Sequence, residues 1–169
     1  LGVPFRAFTA DAGVDILSFG GTKNGLLGAE AIVVIDPDRV DGMIFLRKTS
    51  MQLASKMRFM SAQLLGLFEA GLGLRSAGHA NEMAARLRSS LDAGIADGSI
   101  SGLSFSQATQ ANAVFGILAN DAADRIRDRV RFYDWDRAIG QVRWMCAFDT
   151  TEADVDNFVG VIREELARS

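Results

Sequence analysis

Two short apolar runs, "VDILSF" (14 to 19) and "EAIVVI" (30 to 35), stand on either side of a link holding Gly20, Gly21, Gly25, Gly28 and one lysine, Lys23. Runs of this length, rich in β-branched and aromatic residues and bounded by Gly, Asp and Pro, predict two buried strands joined by a tight loop. That pairing forces the early chain into a strand-loop-strand unit and puts Lys23 at its turn. A lysine there is either an ordinary surface turn residue or an amine held where something reacts with it. With an unperturbed pKa near 10.4, the amine becomes a good nucleophile near neutrality only when burial or nearby cations lower that value. Flanking glycines would let a flat ligand approach the backbone, whose amides could cradle an anion.

From Asp38 to about Leu74 the pattern turns helical, with Leu53, Met57, Met60, Leu64, Leu65 and Phe68 recurring every three or four residues. Arg47, Lys48, Lys56 and Arg58 are interspersed, the first two at the helix start. A second helix is predicted over roughly 76 to 97, closing at Gly98. Beyond it short elements alternate: strand-like 111 to 118, helical 121 to 130, strand-like 131 to 135 and 142 to 148. In "VRWMCAF" the period of two sends Val142, Trp144, Cys146 and Phe148 to one face and Arg143 and Met145 to the other. Arg143 is then either a strand arginine, paired or solvated, or a receptor for an anion. The last helix is marked by Thr150 or Thr151 as N-cap, Glu152 and Asp154 in the first turn, and an apolar stripe of Val155, Phe158, Val159, Ile162 and Leu166. We read two domains, 1–98 and 99–169, joined around "DGSISGLSFS".

Composition excludes several classes. An apolar fraction of 49% with 23% charged residues describes a globular chain, and a net charge of -3 without runs of one sign offers no footprint for nucleic acid. No apolar stretch is long enough to span a membrane, and no signal peptide is evident, so a cytoplasmic protein is expected. The single cysteine, Cys146, reads as a small buried thiol. His79, the lone histidine, reads as structural, and no metal site is expected. The chain opens on "LGVPFRAF", without Met and already in an extended register, and is expected to be a fragment.

The string "SFGGTKNGLLGAEAIVV", continued through "LRKTSMQLASKMRFMSAQLLGLF", "AGHANEMAARL" and "VRWMCAFDTTEADVDNF", resembles the bacterial low-specificity L-threonine aldolases. These are β-eliminating lyases within the aspartate-aminotransferase-like, fold-type-I pyridoxal-phosphate enzymes. The resemblance covers almost the whole chain and implies an α/β fold: residues 1–98 as the later part of the large cofactor-binding domain, and 99–169 as a small α+β C-terminal domain. It implies pyridoxal 5'-phosphate as cofactor, with Lys23 matching the Schiff-base lysine and Thr22 beside it within reach of phosphate. Arg47 and Lys48 match a basic pair near the cofactor phosphate that reaches a neighbouring subunit's site. Arg143 matches the arginine that binds the substrate α-carboxylate. Arg58 matches a similarly placed arginine across a small insertion, and its role stays open.

The implied reaction is retro-aldol cleavage of L-threonine, L-allo-threonine and related β-hydroxy-α-amino acids to glycine and an aldehyde, begun by a base that removes the β-hydroxyl proton. A phenylserine aldolase or another β-eliminating lyase would share every residue named, and a non-catalytic relative of the fold is the reading from a different class. The resemblance also implies a homotetramer, a dimer of dimers with shared active sites, to which the apolar helix from Leu53 to Phe68 would contribute. In the family the ring-stacking histidine, the pyridine-binding aspartate and the phosphate cup lie upstream of the lysine. The chain is therefore expected to need an upstream half, without which sheet edges would be left unpaired.

Overall fold

The structure is a computed structural model describing residues 2–168. It falls into two compact units, Leu1–Gly73 and Leu74–Ser169.

In the first unit β1 (Ile16–Gly20) and β2 (Glu30–Val34) pair antiparallel, from Ile16 opposite Val34 to Gly20 opposite Glu30. The predicted strands are present, but not buried. Ile32 is 62% exposed and Ile16 and Val33 about two-fifths, because a sheet of two strands has no flanking strand or second layer to cover its apolar faces. Among the described residues of this unit, the only buried apolar side chains are Ala29 and Leu67.

The long helix expected from Asp38 to Leu74 is two helices, α1 (Met43–Thr49) and α2 (Arg58–Glu69). The break is a Schellman stop. Met51 takes a left-handed conformation, φ 58°, its N–H donates to the Lys48 carbonyl at 3.1 Å, and the Gln52 N–H reaches back to the Arg47 carbonyl at 3.0 Å. Hydrophobic spacing carries no trace of such a stop when the left-handed residue is Met and not Gly. Leu53 thus lies outside either helix, and Leu65 and Phe68 are more than half exposed.

The second unit holds most of α3 (Leu72–Ala96), then β3 (Ser104–Phe105), β4 (Ala113–Ile117), α4 (Asn120–Arg129), β5 (Tyr133–Asp136), β6 (Gln141–Met145) and α5 (Glu152–Leu166). The four strands form one antiparallel sheet in the order β3-β4-β6-β5. β3 has two residues inside the Ser/Gly-rich link read as a connector, too short to leave a period. The core joins Val114, Val142 and Trp144 of the sheet to Leu87 and Leu91 of α3, Ile126 of α4, and Val155, Val159 and Ile162 of α5. Gly116 makes room for the largest of these: a Cβ there would sit 2.9 Å from the Trp144 ring. Phe132 and Phe158 meet that ring edge-on, at centroid distances of 6.0 and 5.4 Å. α5 begins in a capping box, with the Asp154 N–H donating to Thr151 Oγ1 at 3.1 Å and the Thr151 N–H to Asp154 Oδ2 at 2.9 Å.

Candidate active site

The residues around Lys23 are fixed by backbone geometry. Residues Thr22–Asn24 form one 3-10 turn after β1, and Gly21 enters it where no side chain fits, since a Cβ would lie 2.4 Å from the Ala29 carbonyl oxygen and from Leu26. Asn24 Nδ2 donates to the Gly73 carbonyl at 2.9 Å, and the Leu27 N–H donates to Gln63 Oε1 at 2.9 Å, tying both ends of the loop down. The Lys23 side chain is exposed, and the strands flanking it, expected to be buried, are themselves largely uncovered. Lys23 forms no ion pair among the described residues.

Thr22 holds Glu30 of β2. Its hydroxyl donates to Glu30 Oε1 at 2.5 Å and its N–H to the same oxygen at 3.2 Å. The hydroxyl first, then the amide, and to a lesser degree the charge of Lys23 push the Glu30 carboxyl below its ordinary value. Sequence reading missed Glu30; pairing the two strands in register, Gly20 against Glu30, is the signal that would have found it.

Arg143 sits at the middle of β6, with Phe115 of β4 and Tyr133 of β5 as its cross-strand partners. As predicted, Val142, Trp144 and Cys146 turn into the core, and burial raises the Cys146 thiol above its ordinary value. Phe148 does not join them: the strand ends at Met145, and Phe148 is exposed. The Arg143 guanidinium lies over the Trp135 ring at 5.0 Å, and Phe115 braces that ring edge-on at 5.2 Å and 79°. Register slips between Asp134 and Asp136, leaving Trp135 as the bulged residue of β5.

Two acids of the same unit are held by other arginines. Asp134 pairs with Arg127 and Arg137, and Asp124 with the same two arginines. Hydrogen bonds from Arg137 first, then Arg127, hold the Asp124 carboxyl down at about 2. Arg143 has no acid partner among the described residues, and its Nε is buried without a hydrogen-bond partner. Trp135 and Phe115 were read from sequence only as strand residues. The bulge that aims Trp135 depends on pairing with β6 and has no one-dimensional signature.

Arg47 and Lys48 occupy the last turn of α1, not a helix start, so their charges complement the carbonyl end of the helix. Both are exposed, and Arg47 Nε reaches the Gln52 carbonyl at 3.4 Å. Arg58 opens α2 with its guanidinium 4.9 Å from the Phe59 ring. His79 is structural in the second unit: its Nε2 lies 2.7 Å from the Thr150 carbonyl oxygen, linking α3 to the segment before α5. The structure places Thr22, Lys23, Arg47 and Lys48 in the first unit and Arg143 in the second. No cluster of three or more His, Cys, Asp or Glu residues that could hold a metal occurs among the described residues.

Comparison with solved structures defines the class. Leishmania major threonine aldolase superposes with a TM-score of 0.77 over 90% of this chain and 44% of its own, at 23% identity. The chain therefore has the α/β, fold-type-I architecture of the matching part of that threonine aldolase. Sequence narrows this to one group of relatives. The chain is 41% identical over 168 residues, 99% of its length, to the low specificity L-threonine aldolase of Pseudomonas sp. strain NCIMB 10558, and 41% identical over 140 residues, 82% of its length, to that of Pseudomonas aeruginosa. It is related to the C-terminal part of these low specificity L-threonine aldolases. The chain spans 46% and 38% of the two relatives. No protein-family model matches it.

Proposed function

We propose that this chain supplies the lysine and the carboxylate receptor of a lyase that cleaves L-threonine, L-allo-threonine and related β-hydroxy-α-amino acids to glycine and an aldehyde. The observation that carries the reading is Lys23, held on a glycine-fixed turn in a chain 41% identical to two low specificity L-threonine aldolases.

The residues fit pyridoxal 5'-phosphate and an amino acid in kind. A primary amine matches the cofactor's aldehyde, and a guanidinium with an unpartnered buried Nε matches a substrate carboxylate. When bound, the cofactor supplies an electron sink for the pair left on Cα when the Cα–Cβ bond breaks. Lys23 would hold it through Nζ, between Thr22 and Gly25. Thr22 would serve the cofactor phosphate by exchanging one anion for another, since its hydroxyl now donates to the Glu30 carboxylate. Arg143 takes the α-carboxylate on its planar fork of donors and so fixes the direction of the bonds at Cα. The β-hydroxyl loses a proton, its oxygen becomes the aldehyde carbonyl as Cα–Cβ breaks, and Cα gains a proton to give glycine.

Arg47 and Lys48, exposed together at the end of α1, would serve the cofactor phosphate of a neighbouring subunit in a homotetramer of two dimers. The exposed apolar side chains of the first unit, Ile44, Phe45 and Phe68 among them, support burial against further protein, from the upstream half of the enzyme and from other subunits. A domain division at 98/99 falls just after α3, so that helix would count with the large domain while giving its apolar face to the C-terminal core. We place the enzyme in the cytoplasm, where free amino acids are turned over; among the described residues no helix is long and apolar enough to cross a membrane.

The test is the visible absorption spectrum of the full-length protein with pyridoxal phosphate, before and after Lys23→Ala. A long-wavelength band lost in the variant is expected. Its absence from the unmodified protein would remove the enzyme reading.

A further inference from the structure

We infer that Trp135 is a positioning residue for the substrate carboxylate, acting through Arg143. The inference rests on the reading of Arg143 as the carboxylate receptor and adds to it what holds that receptor in place.

An arginine that must accept an incoming carboxylate poses a geometric problem. Left unsupported, its long side chain samples many rotamers, and ordering it on binding weakens the complex. Supported by an acid, its N–H groups are already occupied and the substrate has to displace a covalently tethered competitor. An aromatic face solves both. It attracts the guanidinium through the ring quadrupole while leaving the in-plane N–H donors free.

The C-terminal unit displays both kinds of arginine. Arg127 and Arg137 are held by Asp124 and Asp134. Arg143, the cross-strand neighbour of Tyr133 on the same pair of strands, has the Trp135 ring at 5.0 Å, no acid, and a buried Nε with no acceptor among the described residues. The bulge at Trp135 breaks the ladder at the residue that stacks on Arg143, and Phe115, the other cross-strand partner, braces the ring at 5.2 Å. Bulges that re-aim a side chain beside a functional group are a recurrent use of this irregularity. The ring is 55% exposed and absent from the buried core, so core packing does not account for its position.

The experiment compares the full-length enzyme with Trp135→Leu, Trp135→Phe and Arg143→Lys, measuring kcat and KM for L-threonine, together with the cofactor absorption band and melting temperature of each. Trp135→Leu is expected to raise KM by about five- to tenfold with kcat within about twofold, the loss of a stacking contact made equally in ground and transition states. Trp135→Phe, which keeps a ring face, should restore most of the affinity. If Trp135→Leu leaves KM unchanged, or Trp135→Phe is no better than Trp135→Leu, while Arg143→Lys still raises KM, the positioning role is wrong and the carboxylate reading stands. If Arg143→Lys itself leaves KM unchanged, both fall. Equal losses of melting temperature in the two Trp135 variants, with only Trp135→Leu losing affinity, separate positioning from a structural effect.

Discussion

The Thr22 hydroxyl and the Glu30 carboxylate form the hydrogen-bonded pair that closes the lysine turn onto β2, and this pair has a pH signature. Glu30 titrates below its ordinary value of 4.5 because two donors of Thr22 favour its ionised form. A carboxyl with a depressed folded pKa stabilises the fold fully above its unfolded value, and that contribution is lost as pH falls through the folded value. Thr22→Val removes the hydroxyl and leaves the amide. The Glu30 side-chain carbon resonance should then titrate at higher pH, closer to 4.5, and the turn should lose less stability on acidification from pH 5. An unchanged titration midpoint would mean that the backbone N–H alone sets the shift. Lys23 and Arg143 were legible through the resemblance of the strings around them, since on residue pattern alone each also allows an ordinary structural role. Glu30 and Trp135 were not, since their significance lies in cross-strand register and a bulge, which exist only once strands are paired.

The break between α1 and α2 carries a strained residue. Met51 supplies the left-handed position of the Schellman stop, where a Cβ meets the following carbonyl oxygen, and its own side chain is 89% exposed. Met51→Gly relieves that conflict without removing a packed side chain. The variant is expected to be more stable by about 0.5 to 1 kcal/mol, part of the relief being offset by the greater freedom of glycine in the unfolded chain. A rise in urea midpoint at unchanged slope checks it. Elements with a strong period or cap were legible. The capping box at Thr151 and α4 lie within a residue or two of expectation, and the inward face of β6 was read correctly as far as Cys146, because their signals are local. The α1–α2 break was not, since a helix stop on Met has no sequence signature, and β3 was too short to show one.

At the scale of the molecule, burial is unevenly divided. Among the described residues, the fully buried apolar side chains of the first unit are Ala29 and Leu67, whereas the second unit has a continuous core from Met83 to Leu166. Opening free energies follow buried apolar contact, so amide hydrogen exchange of this chain should be slowest in β4, β6, α4 and α5 and fast throughout β1, β2 and α1. Equal protection in both units would show that the first is stabilised by something other than its own packing. Binding of the upstream half, if it covers the first unit as proposed, should slow exchange there selectively. The alternation along β6 has a further consequence. Positions 142 and 144 answer to folding, and position 143, pointing the other way, answers to whatever occupies the opposite face. A saturation library over these residues should therefore separate into alternating columns, one in which variants vanish from the soluble fraction and one in which they persist but differ in what they bind. A strand arranged so lets selection explore new ligands along every second codon while the other codons keep the protein in solution.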